Sequence, residues 1–145
     1  MSRIPRYQLD GLFHHVTVRG TGGIHVFVDD PDRAHFVPLL RSSIDRFRWI
    51  CHAWCLMGTH YHLVIEAPTE RLSQGMHRLN TLYAMYYNER HERRGHLFEN
   101  RFSSWVIRDE RHLQAACWYV LQNPVAAGLR SSADEWSWGG LGPPD

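Results

Sequence analysis

The chain of 145 residues is long enough for one hydrophobic core and hardly for two. With 43% apolar and 21% charged residues it is not a disordered chain, and no run approaches the roughly 18 apolar residues of a membrane span. A formal charge of +1 neither requires nor excludes a nucleic-acid partner.

In chain order, LFHHVTVRG (12–20) alternates and is β-branched, which predicts a first strand ending at glycines. In the following segment, 28–47, Asp30 before Pro31 reads as an N-cap with a proline at the first helical position. Phe36, Leu39, Leu40, Ile44 and Phe47 then form a helical stripe. Pro38 interrupts it, so this helix either bends or starts later than Pro31 suggests. WICHAWCLM (49–57) and HYHLVIEA (60–67) are strands two and three, joined at Gly58-Thr59 as a hairpin. Leu72, Met76, Leu79, Tyr83 and Tyr86 step by three and four, giving a helix from Leu72 to about His91. FSSWVIR (102–108) is a fourth strand, and ERHLQAACWYVLQN (110–123) a helix stopped by Pro124. The order β-α-β-β-α-β plus a C-terminal helix predicts an α+β fold of the ferredoxin-like (RRM-like) kind, with an antiparallel sheet. No repeat or linker divides the chain, and GGLGPPD reads as a plain tail, so residues 1–145 are expected to be one domain.

Charge and cysteine usage add little. Residues 71–111 hold eight arginines against five acidic residues, the first 70 balance seven against seven, and there is no lysine. Arginine is the better phosphate fork, although an arginine-only composition also follows from base composition alone. Three cysteines without framework spacing, and an N-terminus lacking a signal-type apolar block, lead us to expect a cytoplasmic protein.

The chemistry centres on His60 and His62. On a strand they share one face, roughly 7 Å apart, close enough to converge on one cation. With eleven histidines in the chain, two surface imidazoles at this spacing also arise by chance. Cys51 and Cys55, about 13 Å apart along one strand, are too far apart to hold one zinc and read as buried apolar residues. In YVLQNP, Tyr119 and Asn123 lie one helical turn apart on one face. Singly, Asn123 reads as a helix-ending cap and Tyr119 as a core aromatic packed with Trp118.

Together, CLMGTHYHLVIEAP, RLSQGMHRLNTLYAMYYNERHERRGHLFENRF and YVLQNPVAAGL resemble the single-tyrosine HUH transposases, nearest the REP-associated tyrosine transposases. The likeness runs from about Tyr7 to Trp138. The chain departs from it in Gly58-Thr59, where Pro-Asn commonly precedes the histidine pair, and in Pro38. The resemblance implies that His60, His62 and Asn123 ligate a divalent metal, Mg²⁺ or Mn²⁺, and that Tyr119 is the nucleophile. It implies nicking and strand transfer of single-stranded or hairpin DNA through a 5′-phosphotyrosine, with the nucleoid as the place of action, and it allows a homodimer. Two imidazoles and an amide oxygen would leave a divalent cation its full charge and open positions for a phosphate. Arg93, Arg94 and Arg101 are the candidate phosphate contacts, set against the plainer reading of a solvated helix end. The rival classes are a catalytically silent nucleic-acid-binding module, disfavoured by the lack of an RNP-type aromatic motif, and a water-using metal phosphodiesterase. A covalent protein–DNA adduct separates the first reading from both.

Overall fold

The computed structural model describes residues 12–99 and 102–145. Its elements are β1 (Phe13–Arg19), a 3₁₀ turn (Thr21–Gly23), α1 (Asp30–Arg46), β2 (Ile50–Leu56), β3 (His60–Glu66), α2 (Thr69–Arg90), β4 (Ser103–Val106), α3 (Glu110–Leu121), α4 (Asn123–Ala126), a second 3₁₀ turn (Ala133–Glu135) and β5 (Gly139–Leu141). The sheet order is β4-β1-β3-β2-β5, with every neighbouring pair antiparallel. The first four strands follow the expected ferredoxin-like path. The fifth does not come from the expected pattern, which left GGLGPPD as a tail.

Tertiary contacts explain that strand. Two indoles tie the segment before it to the sheet: Trp136 Nε1 donates to the Leu56 carbonyl at 3.1 Å, and Trp138 Nε1 donates to Asp30 Oδ1 at 3.1 Å. Leu56 N in turn donates to the Trp138 carbonyl at 2.8 Å. Gly139–Leu141 can then pair with Ala53–Cys55 of β2.

Alternation along the strands divides the core between the two faces of the sheet. Val16, Val18, Leu56, Tyr61, Leu63 and Ile65 pack beneath α1 and α2, against Phe36, Leu40, Leu72, Met76, Leu79 and Tyr83. Each such side chain, fully buried, contributes about 1.5–3 kcal/mol. On the opposite face Phe13, Ala53, Cys55, Met57 and Val64 meet Leu113, Ala116 and Val120 of α3. A register shift between Cys51 and Ala53 changes the alternation within β2. Cys51 therefore packs on the α1–α2 side and Cys55 on the α3 side. Burial pushes both thiols up to about 12, as suits apolar packing residues and not a metal pair.

α1 is capped one residue earlier than its Asp30-Pro31 sequence suggests: the Asp29 side chain accepts from Asp32 N at 3.2 Å. The helix runs unbroken through Pro38, which lies on the exposed face where the carbonyl it leaves unpaired can meet water. Asp32 is fully buried and joins the start of α1 to the end of α2. It accepts from Val28 N (2.9 Å), Tyr86 Oη (2.9 Å) and Arg90 Nη1 (2.6 Å), and its Oδ2 lies 2.9 Å from His91 Nε2.

Pro124 does not end helical structure. The chain breaks step at Gln122 and resumes as α4, with the proline in the first turn, where no N–H is needed. The β2–β3 connection is tight: Met57 N donates to the His60 carbonyl at 2.9 Å, and the Gly58 carbonyl accepts from Val26 N and Phe27 N. A Cβ on Gly58 would stand 2.8 Å from His25 Nδ1, so close approach selects glycine there.

Candidate functional site

The site grows from the α3-facing side of β1 and β3. Cross-strand register sets Thr17 opposite His62 and Arg19 opposite His60, and on the other flank His15 opposite Trp105. Residues 15, 17 and 19 therefore share a face with the His60/His62 pair and with α3. The two imidazole centroids are 5.0 Å apart and nearly perpendicular, at 88°.

α3 delivers the rest. Asp109 caps it by accepting from His112 N at 2.8 Å, and its buried Leu113, Ala116 and Val120 fix which side meets the sheet. That rotation leaves Tyr119 over the histidines, its ring centroid 5.8 Å from His62 and 5.6 Å from His15. Tyr119 is 54% exposed and Trp118 66%, so the pair is not the core contact that either would make by default.

Asn123 does two things at once. Its Nδ2 donates to the Tyr119 carbonyl at 3.0 Å and to the Val120 carbonyl at 3.4 Å, the capping role its position suggests. The side chain also favours the charged forms of His60 and His62. Sequence-predicted residues His60, His62, Tyr119 and Asn123 thus come together within one chain.

The surroundings disfavour the protonated form of the three imidazoles. Burial, then the neighbouring His60, His15 and Arg19, push His62 down to about 3. His60 is lowered by burial and then by Arg19, and His15 by burial and then by His112. His62 is only 2% exposed, with Nδ1 lying 3.0 Å from Thr17 Oγ1 and 3.2 Å from His15 Nε2. Its Nε2 is buried without a hydrogen-bond partner among the described residues. With the proton on Nδ1, within reach of Thr17 and His15, the lone pair would lie on Nε2.

Among the described residues no cluster of three or more His, Cys, Asp or Glu side chains has metal-site geometry. Of the candidate phosphate-contacting arginines, the two among the described residues, Arg93 and Arg94, do not line the cavity beside Tyr119. The Arg93 guanidinium is spent on the Gly95 and His96 carbonyls and on Asn88. Arg94 is exposed and does not line the cavity beside Tyr119. Arg101 lies outside the described residues. Sequence reading missed His15, Thr17 and Arg19; the signal was present in the alternation of HHVTVR, once β1 was paired with β3.

Among the described residues no helix is long and apolar enough to cross a membrane. Among curated protein sequences none matches the chain. A solved structure of a REP-associated tyrosine transposase bound to a REP hairpin superposes with a TM-score of 0.67 at 18% identity, covering 96% of this chain and 82% of that one. At that identity the likeness establishes the fold. The sequence profile described as "Transposase IS200 like" matches residues 11–123, more than three quarters of the chain. The protein therefore belongs to the IS200-like transposase family.

Proposed function

We propose that the protein nicks single-stranded or hairpin DNA and rejoins strands through a 5′-phosphotyrosine formed on Tyr119. The observation that carries this reading is the buried, unpartnered Nε2 of His62 beside the Asn123 side chain, one turn from an exposed tyrosine. An orphaned buried nitrogen is costly unless something occupies the space before it. Here the surrounding donors, His60, His62 and the Asn123 oxygen, suit a divalent cation such as Mg²⁺ or Mn²⁺. When bound, such an ion would polarise the scissile phosphate and offset charge on its oxygens.

The side chains do the rest. Thr17 and His15 hold the His62 ring so that Nε2 faces the site. Asn123 restrains the backbone at Tyr119, which limits the hydroxyl's approach to a phosphate held at the histidines. The Tyr119 oxygen bonds to phosphorus and the 3′ oxygen leaves, giving a tyrosyl ester and a free 3′-OH. Because the ester retains the phosphodiester energy, a 3′-OH can reverse the step onto another strand.

The deciding experiment incubates the protein with single-stranded and hairpin oligonucleotides and Mg²⁺ or Mn²⁺, then resolves it under denaturing conditions. A band shifted by covalent DNA is expected, and excess chelator should remove it. Nicking without any adduct would transfer the reaction to water and leave Tyr119 outside the chemistry. Neither nicking nor an adduct with any DNA would leave a binding module.

A further inference from the structure

The wall that carries Tyr119 continues into a cavity of about 430 Å³ between β1, β4 and α3. The chemistry above uses His62, His15 and Tyr119 from its lining but gives no task to Phe102, Trp105, Arg19 or Glu99. Trp105 is 56% exposed on an edge strand, a large apolar ring left uncovered beside the site. Its centroid is 5.7 Å from His15, which is 5.6 Å from Tyr119, so the rings form a row from the tyrosine to the sheet edge. Arg19 and Glu99, both exposed, supply a donor and an acceptor at the same cavity.

A flat heteroaromatic ring with hydrogen-bonding edges fits this combination. The volume falls at the lower end of pockets that enclose one small molecule, about 300–1,000 Å³. It suits one nucleoside and is too small for a stacked base-paired step. We propose that the cavity receives one unpaired nucleobase, that of a nucleotide adjoining the scissile phosphate, stacked on Trp105 with the Glu99 carboxylate accepting from an exocyclic amine. This rests on the reading that the phosphate sits at Tyr119. It gives Trp105 and Glu99 a role in selecting which phosphate is presented: a paired base cannot enter, and an unpaired one is held by stacking.

The probe is a hairpin DNA with a single-stranded flank of each base in turn, scanned with single abasic positions. Binding is followed by fluorescence anisotropy for the wild type and for Trp105→Ala. Because Trp105 is exposed, that variant should fold, as circular dichroism can check, and Trp105→Phe should restore part of the stacking. One abasic position should weaken wild-type binding on the order of ten-fold. The same substitution should make little further difference to Trp105→Ala, whose affinity is already reduced. If no abasic position is coupled to Trp105, or if none of these DNAs binds, the assignment is overturned. Nicking gels on the same DNAs keep the two ideas apart. Coupled binding without an adduct removes the tyrosine chemistry and keeps the pocket; adduct formation without coupling does the reverse.

Discussion

Asn123 holds the Tyr119 carbonyl at 3.0 Å through its amide nitrogen, while its side chain favours the charged forms of His60 and His62. One amide thus links the backbone of the proposed nucleophile to the proposed metal donors. Asn123→Asp separates the two tasks. A carboxylate still offers oxygen to a cation but repels the Tyr119 and Val120 carbonyls, replacing two hydrogen bonds worth about 1 kcal/mol each. Mn²⁺ affinity, read by calorimetry, should persist while adduct formation falls at least ten-fold. Full activity in this variant would remove the link.

Tyr119→Phe deletes one oxygen from an exposed ring. Stability should stay within about 0.5 kcal/mol of wild type in a denaturant titration, and DNA affinity should be retained, while nicking and the covalent adduct both vanish. Persistence of the adduct would send the search to another tyrosine. Tyr83 and Tyr87 are poor substitutes, since both are buried and donate to the Val26 and His25 carbonyls.

Thr17→Val keeps the shape of a nearly buried side chain and removes the oxygen 3.0 Å from His62 Nδ1. With only His15 left to fix the ring, Mn²⁺ binding to the DNA-free protein should weaken about 10–100-fold, and Thr17→Ser should restore it. Unchanged affinity in the valine variant would mean that His62 needs no such partner.

Acid should act first where α1 meets α2. Burial raises the Asp32 carboxyl, but the hydrogen bonds from Val28, Arg90, His91 and Tyr86 outweigh it and leave the group below its ordinary value. The Arg90 hydrogen bond likewise holds Asp29 down, at about 2. Carboxyls depressed on folding stabilise the protein above their unfolded value of roughly 4, and that stability drains away as pH falls through the folded values. Their contribution should therefore be constant above about pH 5 and decline from pH 4 toward 2. Arg90→Met should lower stability at pH 7 and flatten this slope. A parallel slope in the variant would show that other groups control acid unfolding.

The parts of the site that could be read from the sequence are those whose geometry is local. His60 and His62 are two apart on a strand, so spacing sets them on one face, and Tyr119 and Asn123, four apart, stay in contact across the step at Gln122 through the Asn123 amide. His15 and Thr17 needed more: they acquire meaning only from the β1–β3 register, which couples residues more than 40 positions apart. Strand β5 has three residues, two of them glycine, and no intrinsic preference; it exists because Trp136 and Trp138 fasten the chain to Leu56 and Asp30. The cap of α1 was displaced because Asp29 and Asp30 are equal candidates locally, and the choice follows from how Asp29 meets Arg90 across the fold. Arg93, a candidate phosphate contact by sequence, also donates to the Gly95 and His96 carbonyls, contacts that no residue spacing reveals.

Helix α3 is preceded by β4 and followed, after α4, by β5, and these strands form the two opposite margins of the sheet. The tyrosine is therefore mounted on a span anchored at both banks. Such a span can tilt or slide over the sheet, but it can be lifted clear only by unzipping one margin. The weaker mooring is β5, with three residues of pairing against four for β4. Exchange of this helix between two molecules would begin with release of Gly139–Leu141 and its two tryptophan anchors.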